Sequence, residues 1–226
     1  MSNNIIYANT KQLDDIAESL KDYPEELVRV MNSVLARATA SVRSEVAKQI
    51  PKVYGITHKK VNDTLNSGGR KVKNIMGAAG EGSVSIEILG RPLTLNRFQH
   101  SPNEPPEQTK GKKRRIFHVK AMFLHEKGKL PIGPIHGKDN KLKSVFFMPT
   151  KSGSERYLFA YRTGEKKGNR EKLKVIRSVS VPQMVTNEQV GPVIVEKVNK
   201  VIFNRLGHEI DRSFARLQAK STGRRK

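Results

Sequence analysis

The side chains of this sequence best placed for chemistry are cations. Lys110, Lys112, Lys113, Arg114 and Arg115 form one run, and a second basic stretch closes the chain over residues 220–226, ending in Arg224, Arg225 and Lys226. Residues 110–177 hold 20 Lys and Arg against 5 Asp and Glu, a local charge of +15 within a chain total of +22. Charge at this density attracts polyanions: nucleic-acid phosphates, an acidic protein surface or an anionic leaflet. A solvated, lysine-rich face has the same composition, so charge alone does not choose among these. The aromatic residues of this region, Phe117, Phe123, Phe146, Phe147, Phe159 and Tyr161, lie in strand-like runs and are expected in the core rather than stacked on bases.

Catalytic material is scarce. The histidines, His58, His100, His118, His125, His136 and His208, show none of the short spacings of a zinc pair, and there is no cysteine to complete one. Between His118 and Lys151 the carboxylates are Glu126 and Asp139, too few for a magnesium cluster. Residues 77–82 are glycine-rich but lack the Lys and hydroxyl of a phosphate-binding loop, so a turn is the simpler reading. The expectation is a protein with no enzymatic activity, cofactor or metal.

A chain of 226 residues, 36% apolar and without Trp, can bury a modest core and leaves a polar surface suited to an assembly. Lack of cysteine excludes disulfides and fits synthesis in a reducing cytoplasm. No apolar run approaches the roughly 20 residues that cross a bilayer, and the N-terminus lacks a signal-peptide core, so no membrane partner is expected.

The elements that must position these residues read as a single α+β domain, an antiparallel sheet flanked by long N-terminal and C-terminal helices. Helices are expected over residues 8–50. Leu13, Ile16, Ala17 and Leu20 make one short apolar face; Leu27, Val28, Met31, Val34, Leu35, Ala38, Val42 and Val46 then hold the period until Pro51 stops it. Arg29, Arg37, Arg43 and Lys48 fall on the other face, and Thr57 opens a short helical turn. The sheet is expected over residues 83–181. Val84, Ile86 and Ile88 alternate with polar residues, Phe117, Val119, Ala121 and Phe123 share a face, and further strands cover residues 144–148 and 156–162. Basic loops are expected at 96–115 and 124–143, the first of them mobile from Asn96 to Gly111, with a hairpin turn at 151–154. Val190, Ile194, Val198, Val201, Ile202, Leu206, Ile210, Phe214 and Leu217 then stripe a helix over residues 186–218. It starts at a capping box of Thr186 and Gln189 or, later, at Gly191-Pro192, and a flexible basic tail follows at 219–226.

Three stretches carry a family resemblance. The strand-like run over residues 174–184, ending in Pro182, Gln183 and Met184, followed by a helix face of Arg205, His208, Glu209 and Arg212, resembles the C-terminal signature of the bacteriophage minor tail protein Z family. Val53-Tyr54-Gly55-Ile56-Thr57 with Lys59-Lys60-Val61 is similar to that family's segment after its first long helix, and Pro92-Leu93-Thr94-Leu95-Asn96-Arg97-Phe98 to its central element. The resemblance implies a structural virion protein made in the host cytoplasm and located in the tail or neck. It would join tail to head beside the tail terminator, tail tube or connector. A homo-oligomeric ring is implied, six copies being favoured over twelve, with a DNA contact through its basic surface. In that reading Pro182, Gln183 and Met184 order the approach to the last helix. The other reading is a sequence-independent nucleic-acid-binding protein that uses residues 110–115 and the C-terminal tail on phosphates.

Overall fold

The computed structural model of the protein describes residues 2–7, 22–66, 72–76, 84–105, 118–150 and 156–223. The expected helix over residues 10–21, the turn at 77–82, Phe117 and the hairpin turn at 151–154 lie outside the described residues. What is described is an α+β fold: helices packed beside small antiparallel sheets, with a long helix near each end.

Helix α1 (Pro24–Val53) begins with a proline in its first turn, where a missing N–H costs nothing, and with Glu25 and Glu26 at the positive end of the helix dipole. Val30, Val34, Ala38, Val42, Val46 and Ile50 form a buried row at i, i+4 spacing. Such a row winds slowly round the helix, because α1 meets α4 (Gly191–Gly223) along much of its length and α2 (His58–Asn66) as well. Winding corrects one expected position: Val28 is 48% exposed and Val30 is buried in its stead. Pro51 does not stop the helix. It falls in the last turn, where only one ladder bond is lost, and the N–H of Tyr54 donates to the carbonyl of Ile50 at 2.9 Å beyond it.

The second long helix, α4, starts at the later of the two expected points and runs on to Gly223, so residues 219–223 of the expected flexible tail are helical. Val190, Ile194, Val198, Ile202 and Leu206 are buried in sequence, but the row then turns polar: Glu209 and Ser213 are buried, and Phe214 is 43% exposed. The reason lies on α1, which runs antiparallel and presents Glu26, Arg29 and Ser33 there. Ser33 donates to Glu209 at 2.9 Å, and Ser213 donates to Glu26 at 3.2 Å. Arg205 and Arg216 add ion pairs to the same carboxylates at 2.6 and 3.2 Å.

Among the described residues the expected single sheet is divided into four. β1 (Ser2–Tyr7), β2 (Val72–Met76) and β3 (Val84–Gly90) form one in the order β1-β3-β2, with Ser2 opposite Gly90 and Val72 opposite Ile88. Ile86 and Ile88 drive into the helical core, as their alternation requires. β4 (Gln99–Ser101), β5 (Val119–Met122) and β6 (Leu130–Ile132) form the second. β7 (Ile135–His136) and β8 (Leu142–Lys143) form a two-stranded ladder. β9 (Phe146–Pro149), β10 (Tyr157–Lys167) and β11 (Arg170–Val175) form the last, in the order β11-β10-β9.

Both expected basic loops therefore contain regular structure. The first is ordered from Asn96 through β4, because Phe98 is buried and Gln99–Ser101 pairs with β5; residues 106–111 lie outside the described part. The second holds β6, β7 and β8, short ladders that proline and glycine permit at sheet edges. Two apolar cores result, one between the helices and the first sheet, the other around Leu95, Val119, Ala121, Val145 and Phe159. Phe123 packs against both, and its ring centroid lies 5.4 Å from that of Phe98.

Candidate assembly junction and polyanion surface

The three motif stretches meet. The segment Pro92–Phe98 runs between the other two, and its backbone is claimed on both sides. Toward the C-terminal stretch, Ser178 N–H donates to Leu93 O at 2.7 Å, Leu93 N–H to Val179 O at 3.3 Å and Leu95 N–H to Ile176 O at 3.1 Å, with a bridge between Thr94 and Arg177. Toward the N-terminal stretch, Ile56 bridges Phe98, and Gln99 N–H donates to Gly55 O at 2.6 Å. Side chains add to this: Lys60 Nζ donates to Asn96 O at 2.9 Å, and Arg97 Nη1 to Thr64 Oγ1 at 2.7 Å. Gly55 N–H in turn donates to Phe123 O at 3.0 Å, tying β5's end into the same unit.

Pro182, Gln183 and Met184 sit in a short helix, α3 (Val181–Val185), and not in a strand. The sequence contains a capping box here that periodicity missed. Ser180 Oγ accepts from Gln183 N–H at 3.4 Å, and Gln183 Oε1 accepts from Ser180 N–H at 2.9 Å. Thr186, expected as a cap, ends this helix instead. Pro182 fits because the second helical position needs no amide donor, and both it and Met184 are buried while Gln183 is exposed. The serine–x–x–glutamine pattern was the signal available in the sequence.

Lys110, Lys112, Lys113, Arg114, Arg115, Arg224, Arg225 and Lys226 all lie outside the described residues, so the geometry brings none of them together. Among the described cations of the central region, Arg162, Lys166, Arg170, Lys172 and Lys174 lie on the β10–β11 hairpin. Two of the region's carboxylates, Glu165 and Glu171, pair that hairpin with the β7–β8 ladder and its loop, and Asp139 adds a pair within the ladder. Asp139 pairs with Lys143 at 2.8 Å, and Glu171 with Lys143 at 3.1 Å and Arg162 at 3.9 Å. Glu165 takes Lys138 at 2.6 Å and Lys172 at 3.2 Å. β10 bulges between Arg162 and Lys166 to accept the loop. Gly164 there has φ +83, and a Cβ on it would stand 2.5 Å from the Asp139 carboxyl carbon, so only glycine serves.

Mutual pairing shifts these groups. The Lys143 ammonium holds the Asp139 carboxyl below its ordinary range, and Lys138 with Lys172 does the same to Glu165. Conversely, Glu165 holds Lys138 up, and Asp139 with Glu171 holds Lys143 up. Asp139, Glu165 and Glu171 are thus tied into one ion-paired knot. Lys166, Arg170 and Lys174 are exposed and take no part in it.

No cluster of three His, Cys, Asp or Glu suited to a metal occurs among the described residues. His100 packs edge-on against Phe159 with its Nδ1 2.7 Å from Phe98 O, and His125 Nε2 lies 3.0 Å from Pro51 O; both brace local structure. Of the helix face Arg205, His208, Glu209 and Arg212, Glu209 is buried against α1, while His208 and Arg212 are exposed. No described helix is long and apolar enough to cross a membrane. No protein-family model, curated protein or solved structure matches the chain.

Proposed function

We propose that the protein is a structural component of a tailed-phage particle, a minor tail or tail-completion protein that forms a ring at the head-proximal end of the tail. One observation carries this reading. The three stretches that resemble the minor tail protein Z family are separated by dozens of residues, yet the fold joins them into one hydrogen-bonded unit. Chance likenesses scattered along a chain have no reason to select segments bonded to one another. The unit also lies where the helical core meets the second core, a position that lets a contact on one side be felt on the other.

The partners in this reading are other copies of the chain, six rather than twelve, and the tail tube, tail terminator or connector. Its test is the mass of the purified chain in solution, alone and mixed with tails that lack their completion protein. A closed oligomer, or a monomer that joins those tails, supports the reading. A monomer that remains inert toward tails overturns it.

A second reading, sequence-independent nucleic-acid binding, is favoured by the surplus of cations on the β10–β11 hairpin, where the local carboxylates are already engaged. It predicts salt-sensitive binding to duplex DNA by a chain that forms no ring.

A further inference from the structure

We infer that the outer face of β11 is a phosphate-binding track, with Arg170, Lys172 and Lys174 contacting successive phosphates of a nucleic-acid strand. This deepens the polyanion reading and rests on it alone; it stands whether or not the protein closes a ring.

Strand geometry supplies the first argument. Alternate residues of a strand share a face, so Arg170, Lys172 and Lys174 project together, about 6.6 Å apart, while Glu171, Leu173 and Val175 take the other face. That interval is close to the separation of neighbouring phosphates along one strand. All three cations are exposed; Lys174 and Arg170 are paired in register with Tyr161 and Lys167, and Lys172 lies between them opposite the β10 bulge, its carbonyl accepting from Thr163 Oγ1 at 3.2 Å. A row held by a ladder loses less conformational freedom on binding than a row on a loop.

Charge supplies the second. Lys172 shares Glu165 with Lys138, whereas Arg170 and Lys174 form no ion pair among the described residues. Lys166 adds a further exposed cation at the hairpin's end. Edge strands often carry a lysine to deter aggregation. Here every outward position of β11 is cationic, more than that purpose needs.

The occupant follows from what the face lacks. A folded protein partner would call for an apolar centre. The hairpin's large exposed apolar residue, Leu173, lies on the opposite face. Binding to an anionic leaflet by charge alone is weak without a second anchor. A nucleic-acid backbone needs neither, and contact would be independent of base sequence.

The experiment measures binding of the full chain to a mixed-sequence duplex of about 20 base pairs over a salt series. Arg170→Gln/Lys174→Gln is compared with Lys52→Gln/Lys59→Gln, which removes two exposed cations from the helices. The hairpin variant should flatten the log–log salt slope by about 0.9 per cation lost, and the helix variant should leave it unchanged. Poly-glutamate of matched charge should compete poorly. An unchanged slope in the hairpin variant overturns the track while the polyanion reading survives through other basic segments. Equally effective competition by poly-glutamate overturns the phosphate assignment, and no salt-dependent binding by the native chain overturns both.

Discussion

Gly55 faces the backbone carbonyl of Met122 so closely that a Cβ at Gly55 would collide with the carbonyl oxygen and lie 3.0 Å from the carbonyl carbon. The obstacle is backbone of β5, which cannot rotate aside. Gly55 also ties neighbouring segments together, since its carbonyl accepts from Gln99, next to the Pro92–Phe98 stretch, and its N–H donates to Phe123 O.

Gly55→Ala should therefore destabilise the protein by about 1–3 kcal/mol, the usual cost of overpacking a well-filled site. Urea unfolding checks this through a lowered midpoint with an unchanged slope. A variant as stable as the native chain would mean that the junction opens freely, and the argument for one connected unit would weaken with it.

The position of the cap before the last helices makes a second prediction. Ser180 is buried and closes a capping box with Gln183, whereas Thr186 is exposed and donates only to Gln183 O at 2.7 Å. Ser180→Ala should cost about 1 kcal/mol, and Thr186→Ala less than about 0.5 kcal/mol. Thermal melting of both variants decides the matter. The reverse order of effects would restore Thr186 as the cap.

The carboxylate knot sets a pH dependence whose sign follows from the direction of the shifts. Asp139 and Glu165 titrate below their ordinary values of 3.8 and 4.5 in the folded chain. Their contribution is thus present above those values and is lost as pH falls through the lower folded ones. Lys138 and Lys143 titrate above their ordinary 10.5, so their share is present below it and is lost as pH rises through the higher folded value. Carboxyl carbon NMR shifts followed on acidification should show Asp139 and Glu165 titrating late. The Lys138 amide, which donates to Thr163 O at 2.7 Å, should lose its native shift in the same range. Titration of both carboxyls at ordinary values would remove the knot from solution.

Much of the fold was legible in the chain. The apolar stripes on residues 27–46 and 190–206 marked the two long helices, and the alternation at Ile86 and Ile88 marked a buried strand. β1 was missed, and the division of the sheet escaped because β4, β6, β7 and β8 have only two or three residues and leave no period to read. The basic segments singled out by density, residues 110–115 and 224–226, stand outside the described part. The cation row on β11 was hidden by its interleaved Glu171 and Leu173.

What the sequence determined by itself is what nearest neighbours along the chain control: helix and strand periods, a surplus of positive charge, and a scarcity of groups for catalysis. Tertiary structure decided the rest. It chose Val30 over Val28 and Ser213 over Phe214 for the buried positions, because the partner helix sets which side of a stripe is covered. It spent Glu165 on Lys138 and Glu171 on Lys143, both distant in sequence, and it joined three separated motifs into one junction. Those pairings depend on which surfaces meet in space, and a local pattern carries no record of its distant partner.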